Sequence, residues 1–135
     1  MAFAETDVTN EEQVSAALDL AESQFGEPVN VAVSCAGIGI ARKTLSRPKD
    51  GEERPRVHPL VDFENTLQVN TIGTFNLARL AAQRMLARDM DGDGLRGCIV
   101  NTASIAAYEG QSGQCAYSAS KSAVVGMTLP MARDL

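Results

Sequence analysis

Two short apolar runs do most to limit the folds open to this chain. The first covers residues 29–37, is rich in valine and ends in a glycine, and the second covers residues 97–101 and ends in an asparagine. Runs of this length and composition are typical of strands buried in a parallel sheet. Residues 2–6 are predicted to form the end of a further strand. Stretches with helical spacing of apolar residues separate these runs, so we expect an α/β fold with a parallel sheet.

The first predicted helix has both a start signal and a stop signal. Thr9 and Glu12 have the spacing of a capping box, which closes a helix N-terminus. Gly26 follows the periodic stretch, where a glycine commonly ends a helix, so we expect the helix to end near residue 25. The charged, proline-containing stretch 41–59 is predicted to be a surface loop, with His58 as a solvated residue in it.

Two longer helices are predicted further along the chain. Residues 60–88 carry an apolar stripe at helical spacing. The stripe consists of Phe63, Leu67, Ile72, Leu77, Leu80 and Leu86. The last helix is expected from about residue 112 to the end of the sequence, and Pro130 within it should weaken or kink it.

The overall composition argues against several classes of function. The net charge of −5 argues against a nucleic-acid-binding surface, because such surfaces cluster lysine and arginine. No apolar run reaches the roughly 18 residues of a membrane span, and the first residues lack the features of a signal peptide. The cysteines Cys35, Cys98 and Cys115 are odd in number and lack metal-site spacing. We therefore expect reduced, buried cysteines in an intracellular protein.

The acidic segment 89–94 begins like a calcium-binding loop, with acids at its first, third and fifth positions and a glycine at its sixth. The twelfth position would be Val100, where such a loop requires a bidentate glutamate. We therefore predict a solvated turn between a helix and a strand, and no metal site.

A hydroxyl, a phenol and an ammonium follow the second apolar run. Ser104 comes just after the run, and Tyr117 and Lys121 are spaced so that a helix places both on one face. An ammonium beside a phenol stabilises the phenolate, which can exchange a proton with an alcohol oxygen near neutral pH. Ser104 can hydrogen-bond the same oxygen, which gives the acid–base half of a carbonyl–alcohol redox reaction with a nicotinamide as hydride carrier. The alternative for Tyr117 and Lys121 alone is a surface helix pair.

The residues around this group resemble the short-chain dehydrogenase/reductase family. Segments 101–121 and 126–135 carry the similarity, which within the family is greatest to the 3-hydroxyacyl-CoA dehydrogenase type 2 branch. It extends over nearly the whole chain and is least clear across the proline-containing loop. The resemblance implies that Tyr117 is the acid/base, that Lys121 tunes the phenol and holds the cofactor ribose, and that Ser104 orients the substrate oxygen.

The resemblance also assigns a role to Asn70, in the middle of the long predicted helix. Asparagine is a middling-to-poor helix former, and the run 69–76 matches the family helix that holds a fourth catalytic residue. In the family this asparagine binds a water behind the lysine and completes a proton path. The alternative is that Asn70 pairs with a neighbouring buried backbone group. For Asn76 we expect no catalytic role.

Two segments match cofactor-binding motifs of the family, for which we expect NAD, with NADP left open. Asp7 and Val8 correspond to residues at the cofactor adenine; the alternative is that Asp7 only favours the helix N-terminus electrostatically. The second segment comprises Cys35, Ala36 and Gly37. It corresponds to a motif whose backbone lies along the cofactor ribose. Ser34 replaces the asparagine that opens this motif, which puts in question a side-chain hydrogen bond that ties the strand.

Compared with the family fold, the chain is expected to be incomplete. The family has a seven-stranded parallel sheet, and the resemblance assigns strands 3, 4 and 5 of it to this chain. We therefore predict that residues 1–135 form a single truncated Rossmann-like domain, without the Gly-rich turn that cradles the pyrophosphate and without the last strands. A fragment and a part of a longer protein are both open. The 135 residues alone are expected to bind cofactor poorly and to turn over little substrate.

Three functions remain open on the sequence. The first is an NAD-dependent dehydrogenase that interconverts a secondary alcohol and a ketone in a 3-hydroxyacyl-CoA or hydroxysteroid. The second is an NADPH-dependent 3-oxoacyl-carrier-protein reductase, since the end of strand 2, which distinguishes the two cofactors, lies outside the sequence. The third is a non-catalytic product that only associates with partner subunits. The resemblance also implies a homo-oligomer formed through the two long helices, and we expect a mitochondrial or cytoplasmic location.

Overall fold

The computed structural model describes residues 1–135, which fold into two compact units. The first unit contains Met1–Ala36, Ile72–Thr102 and Leu135, and the second contains Gly37–Thr71 and Ala103–Asp134. In chain order the elements are α1 (Glu11–Phe25), β1 (Val31–Ser34), β2 (Leu45–Ser46), β3 (Arg56–Val57), α2 (Leu60–Leu67), a π-helical segment (Gln68–Gly73), α3 (Thr74–Met85), β4 (Cys98–Asn101), a 3-10 turn (Ile105–Ala107) and α4 (Cys115–Asp134).

A two-stranded parallel sheet forms the centre of the first unit. β1 and β4 pair with Val31 opposite Cys98 and Ser34 opposite Asn101. α3 packs against both strands, and α1 packs against α3. Their buried apolar side chains form a core of Val14, Leu18, Ala32, Leu80, Ala81 and Met85. The predicted α/β fold with a parallel sheet is therefore confirmed.

The other face of this sheet is exposed. Side chains alternate between the two faces of a strand, and Val31, Val33 and Val100 are 55%, 53% and 48% exposed.

The three cysteines were predicted to be reduced and buried. All three are free, as predicted, but all three are exposed rather than buried, so that part of the prediction is wrong. Cys98 is exposed because it lies on the outer face of β4, together with Val100.

The ends of α1 are set by local side-chain and backbone chemistry. The Asn10 side chain accepts a hydrogen bond from the Gln13 backbone N–H and caps the helix, so the predicted capping box at Thr9 is wrong by one residue. Thr9 instead bonds back to Asp7, to which its N–H and its hydroxyl both donate. At the other end Gly26 has a φ of 75°, which only glycine adopts without strain, and the predicted stop is confirmed.

Residues 2–6 form no strand, so that prediction is wrong. A strand is stable only when a neighbouring strand takes up its backbone hydrogen bonds. The parallel sheet contains only β1 and β4, and residues 2–6 pair with neither of them. The apolar character of this stretch therefore did not decide its conformation.

The long helix predicted at 60–88 is divided into α2, the π-helical segment and α3, which ends at Met85. The predicted apolar stripe is only partly buried, since Ile72 and Leu86 are 48% and 69% exposed. The buried positions are instead mostly small or polar, namely Thr66, Asn70, Thr74, Asn76, Ala78 and Ala81. Hydrogen bonds from residue i to i+5 widen the turn in a π segment, which shifts later residues around the helix axis relative to a regular period.

The second unit is built on α4, against which α2 and the 3-10 turn pack. α4 begins at Cys115, three residues later than predicted, and continues through Pro130. The predicted surface loop contains a short hairpin, in which β2 and β3 pair antiparallel. His58 follows the hairpin and is half-buried, with its ring edge-on to Phe63 at a centroid distance of 6.2 Å, so the prediction of a solvated residue is wrong. No helix of the chain, including α4, combines the length and the apolar character that a membrane crossing requires.

Candidate active site

The first turns of α4 bring Tyr117 and Lys121 together in the second unit. Small side chains surround them on the helix, and the Lys121 Nζ atom lies 5.8 Å from the centroid of the Tyr117 ring. Lys121 is only 4% exposed and Tyr117 is partly buried. An ammonium held in a poorly solvated position attracts a neighbouring phenolate more strongly than it would in water. The pair is therefore a buried cluster and not a solvated surface pair.

The backbone of residues 37–39 passes close to this pair. A Cβ atom added at Gly37 would lie 3.6 Å from Lys121 Nζ and 3.2 Å from Asn70 Oδ1. A Cβ atom added at Gly39 would lie 3.7 Å from Cδ2 of the Tyr117 ring. Any side chain at Gly37 would press on polar atoms that belong to the candidate site. The approach of this backbone segment therefore accounts for the glycine at position 37.

Asn70 lies in the π-helical segment and is fully buried. Its Oδ1 accepts from the Ile38 N–H at 2.7 Å, and its Nδ2 donates to the Ile38 carbonyl at 2.8 Å. The Nδ2 also donates to Ser120 Oγ at 2.9 Å. These contacts match the alternative interpretation, in which Asn70 pairs with a buried backbone group. They also make it a neighbour of Lys121, and π segments occur frequently at functional sites.

Ser120 is a member of this cluster that the sequence did not single out. Its hydroxyl is fully buried, accepts from Asn70 and donates to the Tyr117 carbonyl at 2.7 Å. Thr71 Oγ1 donates to the Ser120 carbonyl at 3.2 Å. The available signal was a serine inside a helix, directly before Lys121, where a hydroxyl often bonds back to a carbonyl of the preceding turn.

Ser104 lies between β4 and α4, at the start of the 3-10 turn. Its backbone is extended, with φ −161° and ψ 154°, and its Oγ accepts from the Ala106 N–H at 3.1 Å. A hydroxyl that accepts one bond still has its O–H to donate. The turn packs against α4, where Ser122 Oγ donates to the Ala107 carbonyl at 2.7 Å. Ser104, Asn70, Tyr117 and Lys121 therefore all belong to the second unit.

An open cavity of about 520 Å³ lies in the same unit. It is lined by Arg42, Lys43, Thr44 and Leu45 on one side and by residues 110–115 and Ser118 on the other. Arg42 forms an ion pair with Asp62 at 3.3 Å, and its N–H donates to the Gly113 carbonyl. The cavity has positively charged side chains at its wall and one wall formed by the start of α4.

The candidate adenine-binding residues lie in the first unit, in a turn before α1. Asp7 Oδ1 accepts from the Thr9 N–H at 2.9 Å and from the Thr9 hydroxyl at 2.8 Å. These two hydrogen bonds hold the pKa of the Asp7 carboxyl below its ordinary value, and the bond from the Thr9 backbone has the larger effect. Burial has a small effect in the opposite direction. The Asp7 N–H donates to Gln13 Oε1, while no protein group accepts from the Val8 N–H. The turn therefore presents an exposed carboxylate beside a backbone donor.

The candidate ribose-binding segment follows β1. Cys35 is exposed, and its Sγ lies 3.7 Å from Thr102 Oγ1, which follows the neighbouring strand β4. Ala36 is exposed and Gly37 follows it in the second unit. Ser34 is buried, and its hydroxyl donates to Thr74 Oγ1 at 3.2 Å. The end of the strand is therefore tied by a serine–threonine pair, although the family's asparagine is absent.

The acidic segment before β4 forms a turn. Asp91 Oδ1 accepts from the backbone N–H groups of Asp93 and Leu95, and Gly94 has a φ of 81°. No three His, Cys, Asp or Glu side chains anywhere in the chain are grouped so that they could hold a metal ion. The Asp91 carboxylate thus stabilises the turn by accepting these backbone hydrogen bonds.

Comparison with known proteins places this geometry in context. A model of the short chain dehydrogenases matches residues 1–135. The 3-hydroxyacyl-CoA dehydrogenase type-2 of Bos taurus is 55% identical over 134 residues, which cover 99% of this chain and 49% of that protein. The protein of the same name from Homo sapiens is 54% identical over 133 residues, which cover 98% of this chain and 49% of that protein.

Solved structures agree with these relatives. The crystal structure of 3-hydroxyacyl-CoA dehydrogenase type-2 from Mycobacterium avium superimposes with a TM-score of 0.86 at 41% identity, covering 98% of this chain and 50% of that chain. A short-chain dehydrogenase/reductase from Serratia marcescens gives a TM-score of 0.74 at 30% identity. The predicted Rossmann-like fold class is confirmed. The chain spans about half the length of the curated relatives it matches.

Proposed function

The chain belongs to the short-chain dehydrogenase family, and we propose that it carries the acid–base groups of an NAD-dependent dehydrogenase that interconverts a secondary alcohol and a ketone. The observation that carries this proposal is the buried Lys121 ammonium, 5.8 Å from the ring of Tyr117. The Tyr117 phenol is the group of this pair that can exchange a proton with an alcohol oxygen. The reverse reaction returns the same proton to the carbonyl oxygen.

Ser104 is proposed to hold the reacting oxygen. Its hydroxyl has a donor left after it accepts from Ala106, so it can donate to the oxygen whose proton Tyr117 exchanges. A fixed donor of this kind orients the substrate and stabilises negative charge that develops on the oxygen. Ser104 and Tyr117 together form the proposed substrate-binding pair.

Asn70 is proposed to support Lys121 and to take part in the path that resupplies the proton. The position of a Cβ atom on Gly37 is 3.2 Å from Asn70 Oδ1 and 3.6 Å from Lys121 Nζ, so the two side chains are close neighbours. The two hydrogen bonds between the Asn70 side chain and the Ile38 backbone hold the Gly37 segment beside the lysine. This support keeps the ammonium in place beside the phenol.

The residues present fit a nicotinamide dinucleotide. The turn of the first unit offers the Asp7 carboxylate and the Val8 N–H, an acceptor beside a donor, as adenine recognition requires. Cys35, Ala36 and Gly37 are proposed to line the ribose with their backbone, and Lys121 and Tyr117 to bond its hydroxyls. A bound nicotinamide supplies the hydride acceptor. We propose NAD rather than NADP because of the resemblance to the hydroxyacyl-CoA branch.

The substrate is proposed to be a 3-hydroxyacyl-CoA, with a hydroxysteroid as the alternative within the same chemistry. The relatives named above act, by their names, on 3-hydroxyacyl-CoA. The cavity beside α4 adds a physical reason, because Arg42 and Lys43 at its wall are suited to the phosphates of such a substrate. An uncharged steroid would make no use of these two side chains.

The protein is further proposed to act as a homo-oligomer through its long helices. Phe75 on α3 is 47% exposed and Leu129 on α4 is 56% exposed. Apolar side chains left at the surface of each helix are suited to pairing with a second copy. Sedimentation that shows only monomers at micromolar concentration would contradict this part of the proposal.

The function is tested with a chimera in which residues 1–135 replace the matched half of the Bos taurus relative. This design supplies the rest of the family fold while every proposed catalytic residue comes from the present chain. We expect NADH formation from a 3-hydroxyacyl-CoA, and a much lower rate when Arg42 and Lys43 are both changed to glutamine. A folded chimera that oxidises neither a 3-hydroxyacyl-CoA nor a hydroxysteroid would contradict the proposal.

A further inference from the structure

Two side chains from outside the turn formed by Asp7, Val8 and Thr9 bond to its backbone: Gln13 of α1 accepts from the Asp7 N–H, and Asn76 of α3 donates to the Val8 carbonyl. The peptide group between Val8 and Thr9 is planar and rigid, and it is bonded at both ends. Its N–H, on Thr9, donates to Asp7 Oδ1 at 2.9 Å. Its carbonyl, on Val8, accepts from Asn76 Nδ2 at 2.9 Å. The Asp7 bond is local to the turn, whereas the bond from Asn76 comes from α3, 68 residues further along the chain.

Asn76 is itself held in one orientation. It is 6% exposed, and its Oδ1 accepts from Arg79 Nη2 at 2.8 Å. The same Arg79 atom forms an ion pair with Glu11, the first residue of α1, at 2.5 Å. Because Arg79 can only donate, it fixes the amide oxygen on its own side and turns the amino group toward Val8.

The side chain of Val8 packs closely against the backbone at Gly73. A Cβ atom added at Gly73 would lie 2.5 Å from Val8 Cγ2 and 3.1 Å from Val8 Cβ. Gly73 and Asn76 thus contact the same residue of the turn, one through its side chain and the other through its carbonyl. The turn therefore contacts the end of the π-helical segment through Gly73 and the first turn of α3 through Asn76.

We propose that Asn76 is a positioning residue for the adenine end of the cofactor. By holding the Val8 carbonyl it prevents rotation of the Val8–Thr9 peptide group, and thereby keeps Thr9 N–H on Asp7 Oδ1. The Asp7 carboxylate and the Val8 N–H then remain side by side at the surface, as an acceptor and a donor for the amino group and adjacent ring nitrogen of an adenine. This inference rests on the proposed function.

The first test needs no ligand. Asn76→Asp keeps the size of the side chain and its partner Arg79, but a carboxylate cannot donate to the Val8 carbonyl. We expect the Thr9 amide to exchange with solvent about tenfold faster, as for the loss of one supporting hydrogen bond. We also expect the pKa of the Asp7 carboxyl, followed by NMR, to rise toward its ordinary value, because the Thr9 bonds that lower it are loosened.

The matched control is Gln83→Ala, which changes an exposed amide on the same helix and should alter neither value. If Asn76→Asp does not fold, Arg79→Gln decides instead, because Arg79 is 39% exposed in its side chain and lies outside the buried contact. Its effect should have the same direction and be smaller, while Glu11→Gln should leave the turn unchanged. A folded Asn76→Asp, or failing that Arg79→Gln, in which both the Thr9 amide and Asp7 behave as in the parent chain overturns the proposal.

The second test uses AMP, which carries the adenine without the nicotinamide. In a calorimetric titration of the chimera, Asn76→Asp should weaken AMP binding by about tenfold, the effect of one hydrogen bond in a binding site. Nicotinamide mononucleotide should bind equally to both proteins. A loosened turn with unchanged AMP affinity overturns the positioning role. A parent chimera that binds no AMP contradicts the proposed cofactor function instead, while the ligand-free test still decides whether Asn76 holds the turn.

Discussion

The two units hold their candidate functional groups in opposite ways. In the second unit Asn70, Ser120 and Lys121 are 0%, 0% and 4% exposed. In the first unit Asp7 is exposed and is bonded mainly within its own turn. Groups that exchange a proton during a reaction benefit from fixed positions and poor solvation. Groups that recognise a cofactor which enters and leaves need an accessible surface, and here a buried residue behind that surface holds it in shape.

This difference predicts how each unit responds to mutation. A buried hydrogen-bonded group that loses its partner is left without water to replace it, which is costly. An exposed turn that loses a bond exchanges it for water at little cost. Substitutions in the buried cluster should therefore have large effects on activity or stability, and substitutions at the exposed turn should have small effects that depend on pH.

The largest effect is expected for Tyr117→Phe in the chimera. The variant keeps the ring but loses the hydroxyl, so the proposed acid/base disappears, and we expect kcat to fall by about 10³-fold or more. Tyr108→Phe is the matched control because Tyr108 is 77% exposed and should leave kcat unchanged. Initial rates of NADH formation provide the measurement. If Tyr117→Phe retained near-parental activity, the buried cluster would have no catalytic role.

The next effect in size is expected for Asn70→Ala. Removing this side chain takes the partner from the Ile38 N–H and carbonyl and removes one of the two hydrogen bonds of the Ser120 hydroxyl, so the free energy of unfolding should fall by about 3 kcal/mol. Asn65→Ala, at an exposed position of α2, is the control and should cost about 0.5 kcal/mol or less. Urea unfolding followed by circular dichroism measures both. Equal losses for the two variants would show that burial does not set the cost here.

A smaller effect of opposite sign in the two units is expected for glycine substitutions. Gly73→Ala in the first unit would place a Cβ atom 2.5 Å from Val8 Cγ2, and we expect a loss of about 1–2 kcal/mol. Gly126→Ala in α4 meets nothing within 4 Å, and alanine favours helix, so we expect a gain of up to about 1 kcal/mol. Thermal unfolding of each variant measures these changes. A gain for Gly73→Ala would mean that Val8 does not pack against the π-helical segment at Gly73.

The smallest effect is expected for the charge of Asp7 and depends on pH. The bonds from Thr9 lower the folded-state pKa of Asp7, so the ionised carboxylate stabilises the fold. This stabilisation is complete above the unfolded pKa of about 3.8 and is lost as the pH falls through the lower folded-state pKa. The stability difference between the parent chain and Asp7→Asn should thus be constant near neutral pH and disappear in acid. A difference that grows in acid would mean that Asp7 prefers to be protonated in the folded turn.

Much of the fold could be predicted because its signals are local. The apolar runs at 29–37 and 97–101 indicated the positions of β1 and β4, and Gly26 marked the end of α1. The wrong predictions involved interactions beyond the local pattern. Residues 2–6 have no strand to pair with. Thr9 has the spacing of a helix cap in the sequence, but in the structure it bonds to Asp7, and the Asn10 side chain caps α1.

The candidate site was predictable to the extent that its residues share a helix. Tyr117 and Lys121 are four residues apart, so helical geometry alone brings them together. The role of Asn70 could be predicted only from the family resemblance, because its local sequence does not indicate a π-helical segment. Ser120 and Asn76 were not predicted as supporting residues, since their partners lie 50 and 68 residues away along the chain. Only the folded structure shows that these polar side chains are buried together with their partners.

The central claim is that a serine hydroxyl and a phenol beside a buried ammonium act on one oxygen atom. The most direct measurement is a crystal structure of the chimera with NADH and a non-reacting 3-oxoacyl-CoA analogue. We predict that Ser104 Oγ and Tyr117 Oη both lie within about 3.2 Å of the analogue's 3-oxo oxygen. An analogue oxygen that contacts neither hydroxyl, or side chains of Ser104 and Tyr117 that face different surfaces, would contradict the account.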